Sequence, residues 1–440
     1  MDLSGIPYVE LRFDQDGAVV SPDEENAVLV LAGRPEVTDL IVLAHGWNND
    51  MDEARGLYRA LADQLAGPGS GALGIVGVLW PSKRFADGDL IPGGAAALAA
   101  RPSIAELAAD LAAFGALLND PAAAKGLAAA AAALPSIDTA ESARRAFVDG
   151  VRAALHASIG LTAGSEEVPA ALLTADGAEL LAQLARPASL TRPAHPSFDI
   201  GGAADLGTPH PPTGGAVGLD IFGGFRNAAR NLLNYTTYYT MKERAGTVGF
   251  HGLAPVLAQA HTARTGLRLH LVGHSFGARL VSAAATSGAG DPVLPLSSMV
   301  LLQAAFSHFG FAKDWDPGKD GLFRGCLSGH RVDGPILVTH TANDRTVGIA
   351  YALASRIAGQ VAAALGDASD IYGGLGRNGA LNTPEALSGE LLDVDEVYSF
   401  QHGTVHNLLA DRFIHSHSDV TGPQVGLALR SAVAAGMTVS

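Results

Sequence analysis

The sequence predicts an α/β protein, a mostly parallel sheet with helices on both faces, carrying a large helical, alanine-rich insertion. Three observations predict it. Apolar runs of strand length alternate with helical stretches at both ends of the chain, the pattern of strands covered on both faces. Between them, from about residue 82, composition shifts to alanine, leucine, glycine and proline. The run Leu269–Leu280 sets a buried strand directly before a glycine-flanked serine, and a helix directly after it.

Taken in order, Tyr8–Phe13, a turn at Asp16-Gly17 and the apolar run Ala27–Leu31 read as an opening antiparallel hairpin. Asp39–Ala44 reads as the first buried parallel strand. Leu57, Ala60, Leu61 and Leu65 share a helical face and predict a helix over Met51–Leu65. Strand Gly74–Trp80, closed by Pro81, ends the first part. Residues 82–235 predict helices at Ile104–Leu118 and Thr139–Leu161, then a glycine- and proline-rich loop over Pro187–Gly218. That segment lacks clustered acids, histidines or phosphate-binding glycines, so it reads as a cap. The aromatic stretch Asn234–Gly246 leads back out of it, its tyrosines expected to pack the cap onto the sheet, the alternative being that they line a substrate cleft. Further on, the pattern gives a helix over Val248–Arg264, strand Arg268–Gly273, a helix from Phe276, and strands Ser298–Gln303 and Pro335–Thr341. A helix near Val347–Leu365, strand Glu396–Phe400 and a closing helix over Pro423–Ala435 follow. Residues 1–81 and 236–440 are thus expected to form the two parts of one core, with 82–235 inserted between them.

Composition excludes several classes. A net charge of −15, from 44 acidic against 29 basic residues, repels phosphates and speaks against nucleic acid or an anionic membrane as partner. The lone Cys326 cannot form an internal disulfide and reads as a small buried apolar residue. Met1–Pro7 has neither the basic cluster nor the apolar core of a signal peptide. Pro102, Asp110, Asp120, Lys125 and Pro135 break the alanine-rich stretches before any reaches bilayer length. A cytoplasmic chain without stable membrane insertion is expected; the oligomeric state stays open.

Gly273-His274-Ser275-Phe276-Gly277 places Ser275 at a sharp strand-to-helix turn, where side chains at either glycine would collide with the adjoining element. A serine hydroxyl becomes a nucleophile there when a base stands beside it and N–H donors above it. The competing reading is a glycine turn that happens to contain serine. Asp344, at the end of a strand, is either the acid that orients a histidine or the N-cap of the next helix. His402, His406, His415 and His417 are the candidate bases. His415-Ser416-His417-Ser418-Asp419 also spells H-x-H-x-D, a possible metal-binding pattern, although Val420 stands where a further histidine would be needed and the motif lies late in the chain. His340 is expected to close its strand, the alternative being a place in the site, and Arg244 and Arg279 are expected to form ion pairs or lie on a helix surface in preference to binding a substrate carboxylate.

Three motifs, the elbow at Ser275, Ala44-His45-Gly46-Trp47-Asn48-Asn49 and Val338–Val347, resemble the α/β-hydrolase superfamily, the bacterial esterase and lipase-like serine hydrolases. The resemblance covers residues 36–80 and 236–440. It implies Ser275 as nucleophile, Asp344 as acid, and His417 as base because it lies on the loop before the closing helix. It also implies backbone N–H groups of Trp47 and Phe276 as oxyanion donors, with no cofactor and no metal. The expected substrate is a small-molecule carboxylic ester, with an apolar acyl part favoured by the alanine- and leucine-rich cap. A thioesterase or peptidase would use the same triad, whereas a non-catalytic binding relative would have lost a member of it. The cap precedes the elbow, which departs from the usual lid position of the superfamily.

Overall fold

The computed structural model describes residues 1–47, 50–67, 69–82, 101–159, 169–185, 224–286, 294–344, 346–347, 354, 357, 368 and 370–437. The expected helix over Val347–Leu365 and the loop over Pro187–Gly218 lie almost wholly outside these residues. Among them the chain is an α/β protein built on a nine-stranded sheet. In chain order the strands are β1 (Asp2–Leu3), β2 (Ile6–Arg12), β3 (Asp39–Ala44), β4 (Leu73–Leu79), β5 (Arg268–His274), β6 (Ser298–Leu302), β7 (Ile336–His340), β8 (Ala386–Glu390) and β9 (Val405–Leu409). Their spatial order is β1-β2-β4-β3-β5-β6-β7-β9-β8. Only the β1–β2 pair is antiparallel; every other pair runs parallel.

Strand period explains the two faces. Leu40, Val42 and Ala44 of β3 point into one apolar cluster, and Ile41 and Leu43 into another. The first cluster is covered by helices α1 (Pro22–Ala32), α9 (Ala254–Ala263) and α10 (Phe276–Thr286). The second is covered by α2 (Met51–Leu65), started by an Asp50–Glu53 capping box, and by α13 (Pro423–Gly436), started by Pro423.

A separate apolar cluster belongs to the alanine-rich segment. Helices α3 (Ile104–Leu118), α4 (Ala124–Ala133), α5 (Glu141–Ile159), α6 (Ala170–Thr174) and α7 (Gly177–Leu184) bury Leu107, Phe114, Phe147, Leu155 and Leu181 among themselves. One further helix, α8 (Gly224–Thr247), joins that cluster to the sheet. Its Leu232, Tyr235 and Tyr239 pack with the helical group, while Tyr238, Met241 and Ala245 pack under the sheet. Position 235/236 therefore falls in mid-helix. The helix does not end at Thr247 but widens into a π-helical stretch, Val248–Leu253, and continues directly as α9. Arg244 secures the junction, donating to the carbonyls of Leu117 in α3 and Pro81 after β4. Two further short helices among the described residues are α11 (Gly325–Ser328) and α12 (Leu375–Asn378).

Two expectations are corrected. Ala27–Leu31 is helix, not the second strand of a hairpin; the antiparallel hairpin is β1–β2. The last parallel strands are β8 and β9, whereas Glu396–Phe400 forms no strand; Tyr398 and Phe400 stack on each other at 4.6 Å.

Candidate active site

Strand order reverses between β3 and β5: the chain runs outward from β3 to β4, then returns on the other side of β3 to β5. Such a reversal opens a crevice beyond the carboxyl ends of the strands. The loops that leave β3, β5, β6, β7 and β9 at those ends carry Gly46, Ser275, Gln303, Asp344 and His417 in turn.

Ser275 occupies the turn between β5 and α10 with φ 57°, a left-handed conformation rare for a side-chain-bearing residue. Its backbone is held there by Ser275 N–H to the Leu302 carbonyl at 3.0 Å and by Ala305 N–H to the Ser275 carbonyl at 3.2 Å. The flanking glycines are a steric necessity. A Cβ on Gly277 would stand 2.1 Å from the Ala44 carbonyl oxygen, and one on Gly273 2.4 Å from the Gly277 carbonyl oxygen.

The structure brings Ser275, His417 and Asp344 together. His417 Nε2 is 2.8 Å from Ser275 Oγ, and His417 Nδ1 is 2.8 Å from Asp344 Oδ2. Asp344 is fully buried and Ser275 nearly so. Burial favours the neutral acid, yet the adjacent His417, the Val347 N–H at 2.9 Å and the Gln303 amide at 3.2 Å outweigh it and hold the carboxyl below its ordinary value. The Asp344 side chain thus caps the turn that follows it with one oxygen and meets His417 with the other.

The other candidate histidines stand elsewhere. His406 lies on β9 against Phe400, its Nε2 accepting from Gln401 N–H at 3.0 Å. His402 and His415 are exposed, and His415 N–H donates to Asp419 Oδ2 at 3.1 Å. Among the described residues no three His, Cys, Asp or Glu side chains are grouped to hold a metal, and both ring nitrogens of His417 face Ser275 and Asp344 instead. His340 closes β7 and lies in the wall of an open hollow of about 570 Å³ whose lining contains none of Ser275, Asp344 or His417. Arg279 is buried, joining α10 to α8 through the Lys242 carbonyl and Glu243. Cys326 is buried, and its thiol is pushed up to about 12 by that burial.

No protein-family model, curated protein or solved structure matches this chain. Among the described residues no helix is long and apolar enough to cross a membrane.

The β3 loop lies directly against the elbow. A Cβ added to Gly46 would be 2.8 Å from the Ser275 Cβ. Trp47 stacks on Phe276 with ring centroids 5.8 Å apart, and Tyr238 of α8 packs against both rings at 5.7 and 4.8 Å. Phe276 is the first residue of α10, so its N–H has no acceptor within the helix. His45 fixes the loop. Its buried ring stacks on Trp80, Nδ1–H donates to the Gly46 carbonyl, and Nε2 accepts from Trp80 N–H; burial lowers its pKa to about 4. Asn48 and Asn49 lie outside the described residues.

Sequence reasoning missed the residues that hold Asp344 and the His417 loop in place. Gln303 ties Asp344 to Thr339 and the Gly376 carbonyl. Asp411 accepts from Thr341 Oγ1 and Ala342 N–H, and Asn343 donates to the carbonyls of Asp411 and Ile414, which ties the Asp344 loop to the His417 loop. Gln303 sits immediately past a parallel strand, a position that could have singled it out. Asp411 and Asn343 carry no comparable signal.

Proposed function

We propose that this chain is a serine hydrolase of the α/β-hydrolase fold, cleaving carboxylic esters through an acyl-enzyme, with residues 82–235 inserted as a helical cap. The observation that carries the reading is the hydrogen-bonded series Ser275 Oγ, His417 Nε2, His417 Nδ1, Asp344 Oδ2, both links at 2.8 Å, on a strand-turn-helix elbow. In this reading His417 takes the Ser275 proton as Oγ attacks the ester carbonyl, and Asp344 stabilises the imidazolium that forms. The oxyanion is met by the Phe276 N–H, with Trp47 N–H as the second donor. His417 then gives its proton to the leaving alkoxide, and activates the water that hydrolyses the acyl-enzyme. No step calls on a metal or cofactor. The apolar rings of Trp47, Tyr238 and Phe276 beside the elbow support an ester with an apolar acyl part.

Fluorophosphonate labelling tests the reading. Wild-type protein is expected to label and to hydrolyse p-nitrophenyl esters, and Ser275→Ala to do neither while remaining folded. A Ser275→Ala variant that still labels and turns over would overturn it. Matched ester, thioester and peptide substrates then separate the acyl-transfer classes.

A further inference from the structure

We propose that His274 is a positioning residue for the base: from the place next to the nucleophile, its ring holds His417 by the backbone while Ser275 meets the same residue by its side chain. The inference rests on the hydrolase reading above. His274 is 6% exposed, its Nε2 lies 2.9 Å from the His417 carbonyl oxygen, and the two rings are 5.0 Å apart and tilted by 41°. A carbonyl oxygen can only accept, so Nε2 carries the hydrogen. Burial first, then the nearness of His417, depress the His274 pKa to about 3, with His45 acting in the same direction and the hydrogen bond to the His417 carbonyl and the Asp344 charge against it. The ring is therefore neutral, and its Nδ1 is a bare lone pair. That nitrogen has no hydrogen-bond partner among the described residues; it faces Gly46, where an added Cβ would stand 3.2 Å away. His274 thus has one polar engagement, and it is with His417.

Geometry gives this contact its weight. His417 lies on the loop between β9 and α13, and loops are the least constrained part of a fold. Asp344 holds the ring from its far side, while consecutive residues of one elbow meet the ring at Nε2 and the backbone at its carbonyl, so His274 sets the distance between Oγ and Nε2 from the same short stretch of chain that carries the nucleophile. Neutrality matters as well. When His417 becomes an imidazolium, a second cation 5.0 Å away would oppose it.

The test compares His274→Leu, His274→Gln and His274→Asn by kcat, KM, fluorophosphonate labelling rate and thermal melting. Leucine removes the donor, and kcat and labelling rate are expected to fall about 10- to 100-fold, with KM within about twofold of wild type. Glutamine, whose amide nitrogen reaches as far as imidazole Nε2, is expected to restore both rates to within about fivefold of wild type. Asparagine, one bond shorter, is not. The glutamine–asparagine pair carries the comparison even where the leucine variant fails to fold. Asparagine labelling as fast as wild type, or glutamine as slow as asparagine, would overturn the inference. Wild-type protein that does not label at Ser275 overturns the hydrolase reading and this inference together, whereas labelled wild type with unchanged variants overturns this inference alone.

Discussion

A carboxylate with no solvent access is stabilised only by the donors around it, and Asp344 has three: His417 Nδ1, Val347 N–H and the Gln303 amide. Replacing it by asparagine keeps the volume but offers His417 an amide. The imidazole then settles in the wrong tautomer for accepting the Ser275 proton, and kcat is expected to fall roughly 10⁴-fold with KM little changed. Steady-state kinetics on a p-nitrophenyl ester checks this, and a loss under tenfold would show that Asp344 acts as a cap alone. At this scale the sequence was legible where a residue's type and its place after a strand coincide, as at Ser275 and Asp344. Both readings of Asp344 describe the same side chain, since one oxygen caps and the other faces His417. Gln303 had the same signal of place and was passed over, whereas His274 and Asp411 carry no signal of type or place, and their partners lie 143 and 70 positions away along the chain.

The elements that frame the crevice meet at three rings, Trp47 from the β3 loop, Phe276 from α10 and Tyr238 from α8. Tyr238→Ala empties the centre of that contact, and a cost of about 3 kcal/mol in stability is expected from the lost packing. Ester turnover should fall as well, because Phe276 and Trp47 both lean on that ring. Denaturant unfolding and kinetics on the same variant check the pair of effects, and a loss below about 0.5 kcal/mol would mean the ring is not a packing element. Strands β2 to β7 and helices α2, α3, α5, α9, α10 and α13 were readable from period and length, α2 and α3 at their observed ends, whereas α1, α4, α6, α7, α8, α11, α12, β1, β8 and β9 were not. The exceptions have physical reasons. Ala27–Leu31 is rich in β-branched and aliphatic residues, but Ser21 accepts from Asp23 N–H, Pro22 opens the helix, and Asp23, Glu24 and Glu25 fill its first turn. Glu396–Phe400 alternates like a strand, yet the edge of the sheet is taken by β8, whose largely exposed side chains carry no apolar signal. The π-helical stretch has no sequence signature; Gly249 marks it only in hindsight, its Cα lying against the α10 backbone, where a Cβ would meet the Leu280 carbonyl at 2.1 Å.

Over the whole molecule, buried histidines set the response to acid. His45, His270 and His274 are buried, and in each case burial is the leading cause of a lowered pKa, to about 4 at His45 and about 3 at His274. The unfolded chain takes up these protons near pH 6.5 and the folded chain does not, so stability is complete above that pH and falls as pH drops towards 4. Each such histidine costs up to about 1.4 kcal/mol per pH unit in this window. Asp39 extends the loss to lower pH. Although burial opposes its ionisation, His270, Arg268 and Thr38 hold it well below the usual carboxylate range, and its contribution disappears as it is protonated. Unfolding midpoints measured from pH 7.5 to 4 should decline steadily below about 6.5, and a flat profile would contradict the burial of these rings. The helix that begins at Gly224 and runs unbroken through the π-helical stretch to Ala263 has a different consequence, for anyone rebuilding the protein. At about 1.5 Å per residue this shaft follows a path on the order of 60 Å, with one end among the alanine-rich helices and the other under the sheet. A chimera that exchanges those helices by cutting at residue 235 splits the shaft and leaves Tyr235 and Tyr239 without the surfaces they were shaped against. Recombination points at its two ends keep it whole, so a transplanted helical group has to bring the entire shaft with it.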